Sequence, residues 1–148
     1  HYRYSILNRA ARSAMHEGRT TWIHAPLDTE RMQAGAVHLL GEHDFSAFRA
    51  AECQSNSPIR RVDRLQIERS GELVHIDIAA NAFLHHMVRN IAGLLIEVGR
   101  GERTPEAVKT LLEGRDRRAN APTAPAEGLA LRRIEYPAAF RLPDPVYS

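Results

Sequence analysis

Hydrophobic and polar residues alternate at the start of the chain, and this pattern predicts a β-strand. Tyr2, Tyr4 and Ile6 would share one buried face, while the intervening side chains point the other way. A period of two is typical of a strand with one face in the core. Because the pattern begins at the second residue with no initiator methionine, we expect the chain to be a fragment or a processed product.

Helical periods predict three helices further along the chain. Asp28 is a capping residue for a helix of about 12 residues, which Gly41 would end. A second helix is predicted from Ala82 to Val98, and Thr104-Pro105 begins a third that ends at Gly114. The first helix would bury Met32, Ala36, Leu39 and Leu40. The second would bury Phe83, Met87, Ile91, Leu94 and Val98.

Two further strands and a terminal one complete the predicted elements. Residues 60–69 and 72–80 predict a hairpin that turns at Ser70-Gly71, and Leu129 and Leu131 predict a last strand. Residues 9–27 show no clear period and are predicted to be a loop. Phenylalanines three apart, Phe45 and Phe48, indicate a short helical turn. The expected fold is a single α+β domain over residues 1–148, with an antiparallel or mixed sheet flanked by helices.

Size and composition favour an ordinary globular domain. The 148 residues are 43% hydrophobic and 26% charged, and no apolar run approaches the length of a membrane span. The single cysteine, Cys53, excludes an internal disulfide and suits a reducing compartment.

The positive charge is concentrated near the two ends of the chain. The basic residues are Lys109 and 19 arginines, and clusters of net charge +3 occupy residues 1–20 and 115–133. Arginine binds two phosphate oxygens at once with its planar fork, so such clusters favour a polyanionic partner. A solvated arginine surface is the alternative interpretation.

The predicted helix at 82–98 is two-sided. Arg89 lies about 200° around the helix from Met87 and so faces away from the buried stripe. His85, His86 and Gly93 would share the side of Arg89. A surface arginine beside two partly buried histidines is the simplest interpretation. A zinc site is a weaker one, because adjacent histidines diverge on a helix and one cysteine cannot complete a structural site.

Five ordered sequence blocks resemble the TruA family of tRNA pseudouridine synthases. The most specific block is the run from Phe83 to Ile91, which contains the two histidines and Arg89. The resemblance covers nearly the whole chain. The blocks are Tyr2-Arg3-Tyr4, Leu27-Asp28, Leu40 to Phe48, Asn81 to Asn90, and Ala126-Glu127-Gly128-Leu129.

The resemblance implies an isomerase that converts uridine to pseudouridine in the anticodon stem-loop of tRNA. It implies a flipped target base, no cofactor and no metal, a homodimer and a cytoplasmic location. The family's nucleophile is an aspartate in an Arg-Thr-Asp-x-Gly motif, which this sequence lacks. The chain is therefore expected to be the C-terminal portion of such an enzyme, inactive alone because the half with the catalytic aspartate is absent.

The resemblance also assigns roles to individual residues. Tyr2 would pack on the flipped uracil and help to remove the C5 proton, and Arg89 would pair with the catalytic aspartate. Leu129 would line the pocket and shield the base from water. The residues expected to contact tRNA are Arg3, Gln54 and Ser55.

Two other functions remain open on the sequence. One is a non-catalytic RNA-binding or dimerisation module that keeps the pocket residues without the nucleophile. The other is an unrelated metal hydrolase that uses His85 and His86.

Overall fold

Six strands form one sheet in the part of the chain that this computed structural model describes, residues 1–10, 20–50 and 57–131. The strands lie in the order β2-β1-β5-β4-β3, and β6 also pairs with β1. The strands are β1 Tyr2–Asn8, β2 Thr21–Ile23, β3 Gly41–Asp44, β4 Ile59–Ser70, β5 Leu73–Ala80 and β6 Leu129–Leu131. The helices are α1 Thr29–Ala36, α2 Met87–Gly99 and α3 Pro105–Gly114.

The sheet is mixed, as predicted, because β2 runs parallel to β1 while the other pairs are antiparallel. One edge of β1 is shared between two short strands. There β6 pairs with Tyr2–Tyr4 and β2 pairs with Ile6–Asn8. The prediction of an unbroken loop over residues 9–27 is wrong at β2, since a three-residue strand is too short to show a period.

The helices cover the face of the sheet that carries the alternating apolar residues. Tyr4 and Ile6 of β1 lie opposite Ile76 and Val74 of β5, and all four are completely buried. Helix α1 packs on α2, α3 and β4, and α2 also contacts β1, so sheet and helices share one core.

The first helix begins as predicted but ends earlier. The Asp28 carboxylate accepts hydrogen bonds from the N–H groups of Glu30 and Arg31, which caps α1. The helix stops at Ala36 and is followed by a 3-10 turn. Leu40, predicted to be buried, is 38% exposed, because Gly41 at a φ of 95° turns the chain into β3.

The second helix begins at Met87, and the predicted start at Ala82 is wrong. His86 immediately before it has a φ of 63°, a left-handed conformation that separates the irregular segment 81–86 from the helix. His85, His86 and Phe83 therefore precede the helix. The rest of the predicted stripe is confirmed, since Met87, Ile91, Leu94 and Val98 are all buried.

Other predicted elements are confirmed. The hairpin turns at its glycine, and the Thr104 hydroxyl caps α3 by accepting from the Ala107 N–H. Phe45 immediately precedes a 3-10 turn that ends at Phe48, and both side chains are completely buried. Among the described residues, no helix is long and apolar enough to cross a membrane.

The outer edge of β4 is partly covered by one side chain. The Gln33 amide on α1 donates to the Leu65 carbonyl at 3.2 Å and accepts from the Ile67 N–H at 2.8 Å. Strand β3 pairs only with the beginning of β4, up to Val62. The glutamine therefore satisfies backbone groups that β3 does not reach.

Candidate functional site

A cavity of about 280 Å³ opens where three separate segments meet. Its wall contains Tyr2 from the start of β1, Arg89 from the first turn of α2 and Leu129 from the start of β6. Strand pairing explains this convergence, because β6 lies beside β1 with Leu129 opposite Tyr4. The remaining lining residues are Phe83, Leu84, His85, His86, Met87, Val88 and Ala126.

One side of the cavity is aromatic. The Tyr2 ring meets the Phe83 ring edge to face, with centroids 4.9 Å apart and an interplanar angle of 89°. Both side chains are half-buried and pack against the main core. This favoured geometry holds the Tyr2 ring at the cavity wall, where it can contact a planar ligand.

Arg89 supplies positive charge to the cavity. Its Nε donates to the Ala124 carbonyl at 2.8 Å, and the Ala124 N–H donates back to the Arg89 carbonyl at 3.1 Å. No described residue is hydrogen-bonded to the two terminal nitrogens of Arg89, which leaves them for a ligand. Arg89 also sits in the first turn of a 13-residue helix, whose N-terminal dipole adds to the positive potential.

No carboxylate occurs among the described residues that line the cavity. Arg89 likewise has no acidic partner within the described ranges. A half-buried guanidinium is stabilised by pairing with a carboxylate, ideally through two parallel hydrogen bonds. The site is thus suited to receive an anionic group from outside these residues.

The two histidines form a stacked pair at the edge of the cavity. Their ring centroids are 4.0 Å apart and the rings are tilted by 34°. Across residues 1–10, 20–50 and 57–131, no group of three or more histidine, cysteine, aspartate or glutamate side chains could hold a metal ion. The described residues therefore offer no support for the metal-hydrolase interpretation.

The structure brings some of the predicted site residues together and separates others. Tyr2, Arg89 and Leu129 lie on the wall of the same cavity. Arg3 points to the opposite face of the sheet, where its guanidinium contacts the nearly buried Asp77 carboxylate at 2.8 and 3.2 Å. That ion pair raises the pKa of Arg3, although burial opposes the shift. Gln54 and Ser55 lie outside the described residues.

Sequence reasoning did not identify two groups that shape the site. The helical period predicts Phe83 in the buried stripe of a helix, yet it contacts Tyr2 from the irregular segment before α2. The Ala124 carbonyl fixes Arg89, and a backbone acceptor has no residue signature. Asn81 gives no warning either, because asparagine directly before the predicted start at Ala82 is a favoured N-cap residue and so supports a helix there.

A buried tyrosine anchors the loop before β6, which leads to the cavity residues Ala126 and Leu129. The Tyr4 hydroxyl donates to the Pro125 carbonyl at 2.5 Å and accepts from the Thr21 hydroxyl at 2.6 Å. Burial raises the pKa of Tyr4 to about 12, although the hydrogen bond from Thr21 opposes the shift. The hydroxyl therefore stays neutral and connects β1, β2 and the approach to β6.

We expect this tyrosine to make stability fall in strong base. The unfolded chain releases the Tyr4 proton near pH 10, whereas the folded protein holds it until about pH 12. Stability is therefore fully present below about pH 10 and falls by roughly 2–3 kcal/mol through that window. Urea unfolding between pH 10 and pH 12 would show this fall in the free energy of unfolding of the wild type. Tyr4→Phe should be less stable by about 1–2 kcal/mol at neutral pH, because it loses the hydroxyl's hydrogen bonds. Its free energy of unfolding should lack the part of the fall that comes from Tyr4. Parallel pH profiles for the two proteins would contradict the assignment.

Comparisons with known proteins give a consistent result. The family profile described as tRNA pseudouridine synthase matches residues 36–137. Proteins named tRNA pseudouridine synthase A align over nearly all of this chain. That of Methylococcus capsulatus is 58% identical over 96% of the chain and 52% of its own length. That of Nitrosococcus oceani is 50% identical over 97% of the chain and 55% of its own length. That of Burkholderia vietnamiensis is 49% identical over 96% of the chain and 53% of its own length.

Proposed function

Because this chain belongs to the tRNA pseudouridine synthase family, we propose that it forms the base-binding half of a pseudouridine synthase active site. The chain spans about half the length of the curated relatives it matches. In this proposal a separate segment supplies the nucleophilic aspartate, and residues 1–148 are the C-terminal portion of the complete enzyme. The convergence of Tyr2, Arg89 and Leu129 on one cavity carries the proposal.

The cavity suits one flipped pyrimidine. Its volume of about 280 Å³ is just below the range of about 300 to 1,000 Å³ that is usual for ligand pockets, which suits a ligand as small as one base. The Tyr2 ring, braced by Phe83, packs on the uracil, and the Leu129 side chain keeps water from the base. Extrusion of the base from the RNA stack would place it between these apolar groups.

The isomerisation exchanges one bond of the uridine for another. The N1–C1′ bond breaks, a C5–C1′ bond forms, C5 loses a proton and N1 gains one. Arg89 holds the incoming carboxylate ionised and oriented toward the sugar through its two terminal nitrogens. The Tyr2 hydroxyl helps to remove the C5 proton. Neither role requires a cofactor or a metal.

The substrate in this proposal is the anticodon stem-loop of tRNA, and the complete enzyme acts as a cytoplasmic homodimer. The arginine-rich segment after α3 supports an RNA ligand. Side chains of Arg115 and Arg118 are 65% and 92% exposed, so they can reach phosphates. Arg3, Gln54 and Ser55 are proposed to contact the RNA as well.

The chain alone is expected to form no pseudouridine, because its sequence lacks the family's aspartate motif and none of the described residues that line the cavity carries a carboxylate. A chimera that joins the N-terminal half of the Methylococcus capsulatus relative to this chain is expected to be active. Tritium release from tRNA labelled at uridine C5 measures both.

The N-terminal half of the relative alone serves as the control and should release no tritium. Release by the 148-residue chain alone would show that the nucleophile lies within it. An inactive but folded chimera that still binds tRNA would instead favour a non-catalytic RNA-binding module.

A further inference from the structure

Two consecutive residues of α2 are tied to two consecutive residues of the loop before β6. Arg89 and Ala124 exchange two hydrogen bonds, one through the arginine Nε and one between backbone groups. One position further along the helix, the Asn90 Oδ1 accepts from the Thr123 hydroxyl at 2.6 Å. The bond between Thr123 and Asn90 therefore helps to hold the adjacent Ala124 carbonyl, which fixes Arg89, in position.

A second arginine, Arg117, adds hydrogen bonds both to the helix and to the loop. The Arg117 guanidinium donates to the Asn90 Oδ1 at 3.0 Å, to the Thr123 hydroxyl at 2.9 Å and to the Ala121 carbonyl at 3.1 Å. Asn90 is completely buried, and its Nδ2 donates to the Phe48 carbonyl at 2.7 Å. Both polar atoms of the Asn90 amide and the Thr123 hydroxyl have partners, which restricts the loop to one position.

The cluster has the properties of a positioning device. Among the described residues, the three acceptors of Arg117 are neutral, so its guanidinium holds the loop through hydrogen bonds and not through an ion pair. An arginine side chain has several rotatable bonds, and a single fixed contact at Nε sets the plane of the whole guanidinium. Small errors in that plane would misalign both terminal nitrogens with an incoming carboxylate.

We propose that Thr123 and Arg117 are positioning residues for Arg89, acting through the Ala124 carbonyl. The inference rests on the proposed function of Arg89 in the active site. Neither residue lies among those that line the catalytic cavity. Their effect is to hold the guanidinium in the orientation that receives the nucleophile before substrate arrives.

Thr123→Val tests the proposal with little change in side-chain volume, since it removes only the hydroxyl. Thr123→Ser restores the hydroxyl, and Thr110→Val removes one from an exposed position on α3. The first measurement is hydrogen exchange of the Arg89 Nε–H in the 148-residue chain by ¹⁵N NMR. The second is kcat and KM for tRNA in the chimera.

We expect exchange of the Arg89 Nε–H to become about tenfold faster in Thr123→Val, and kcat to fall about tenfold with KM unchanged. Thr123→Ser and Thr110→Val should both match the wild type. Unchanged exchange in Thr123→Val overturns the proposal, and so does faster exchange with unchanged kcat. An inactive parent chimera would count against the proposed function. The exchange rates of the Arg89 Nε–H would then still test whether Thr123 holds Arg89 in position.

Discussion

Arg89→Ala in the chimera is expected to lower the rate of pseudouridine formation by about a thousandfold or more. The substitution removes the cation that faces the cavity, and no other described side chain there carries a fixed positive charge. Without it, the pKa of the incoming carboxylate rises and its orientation is lost. Tritium release under single-turnover conditions measures the chemical step directly.

Arg100→Ala is the matched control for this experiment. Arg100 follows the other end of α2, where it pairs with Glu102 outside the cavity. Its loss should leave the rate within about twofold of the parent, since exposed ion pairs contribute little. Near-normal turnover in Arg89→Ala would show that the guanidinium does not serve the nucleophile.

Gly93→Ala is expected to destabilise the protein by about 2–3 kcal/mol. A methyl group at this position on α2 would overlap the Pro122 carbonyl oxygen, and backbone cannot move aside as a flexible side chain can. The loss should appear even though alanine favours helices over glycine by about 1 kcal/mol. Urea unfolding followed by circular dichroism gives the free energy of unfolding.

Gly114→Ala makes the same chemical change where nothing lies near the added methyl group. Gly114 is the last residue of α3, and apart from its chain neighbours and its own helix backbone no described atom lies within 4 Å of a β-carbon there. This variant should be as stable as the wild type or slightly more so. Equal stabilities of Gly93→Ala and Gly114→Ala would mean that the loop before β6 is not held against α2.

The periodic elements could be predicted because burial has a simple spacing in them. Alternation identified β1, and the helical spacing of Met87, Ile91, Leu94 and Val98 identified α2. The angle between Arg89 and that stripe was correct even though the helix begins later than predicted. The stripe alone sets the helical phase, so an error at the N-terminus did not move Arg89.

The rest of the site depends on contacts that leave no local pattern. The left-handed conformation of His86 ends the irregular segment without a glycine to signal it. The Arg3–Asp77 ion pair follows from the register of β1 with β5, and register between distant strands cannot be read from either strand alone. The resemblance to a family indicated the candidate residues, and the structure shows the contact of Tyr2 with Phe83 and the hydrogen bonds of Arg89 with Ala124.

The glutamine on α1 that bonds to β4 also bears on how the protein behaves when concentrated. A strand edge with free N–H and C=O groups is a template for another chain, and such pairing leads to aggregation. Gln33 offers the same donor and acceptor that a neighbouring strand residue would offer to Leu65 and Ile67. Because it is a side chain, it carries no further backbone outward, so growth of the sheet stops at that point.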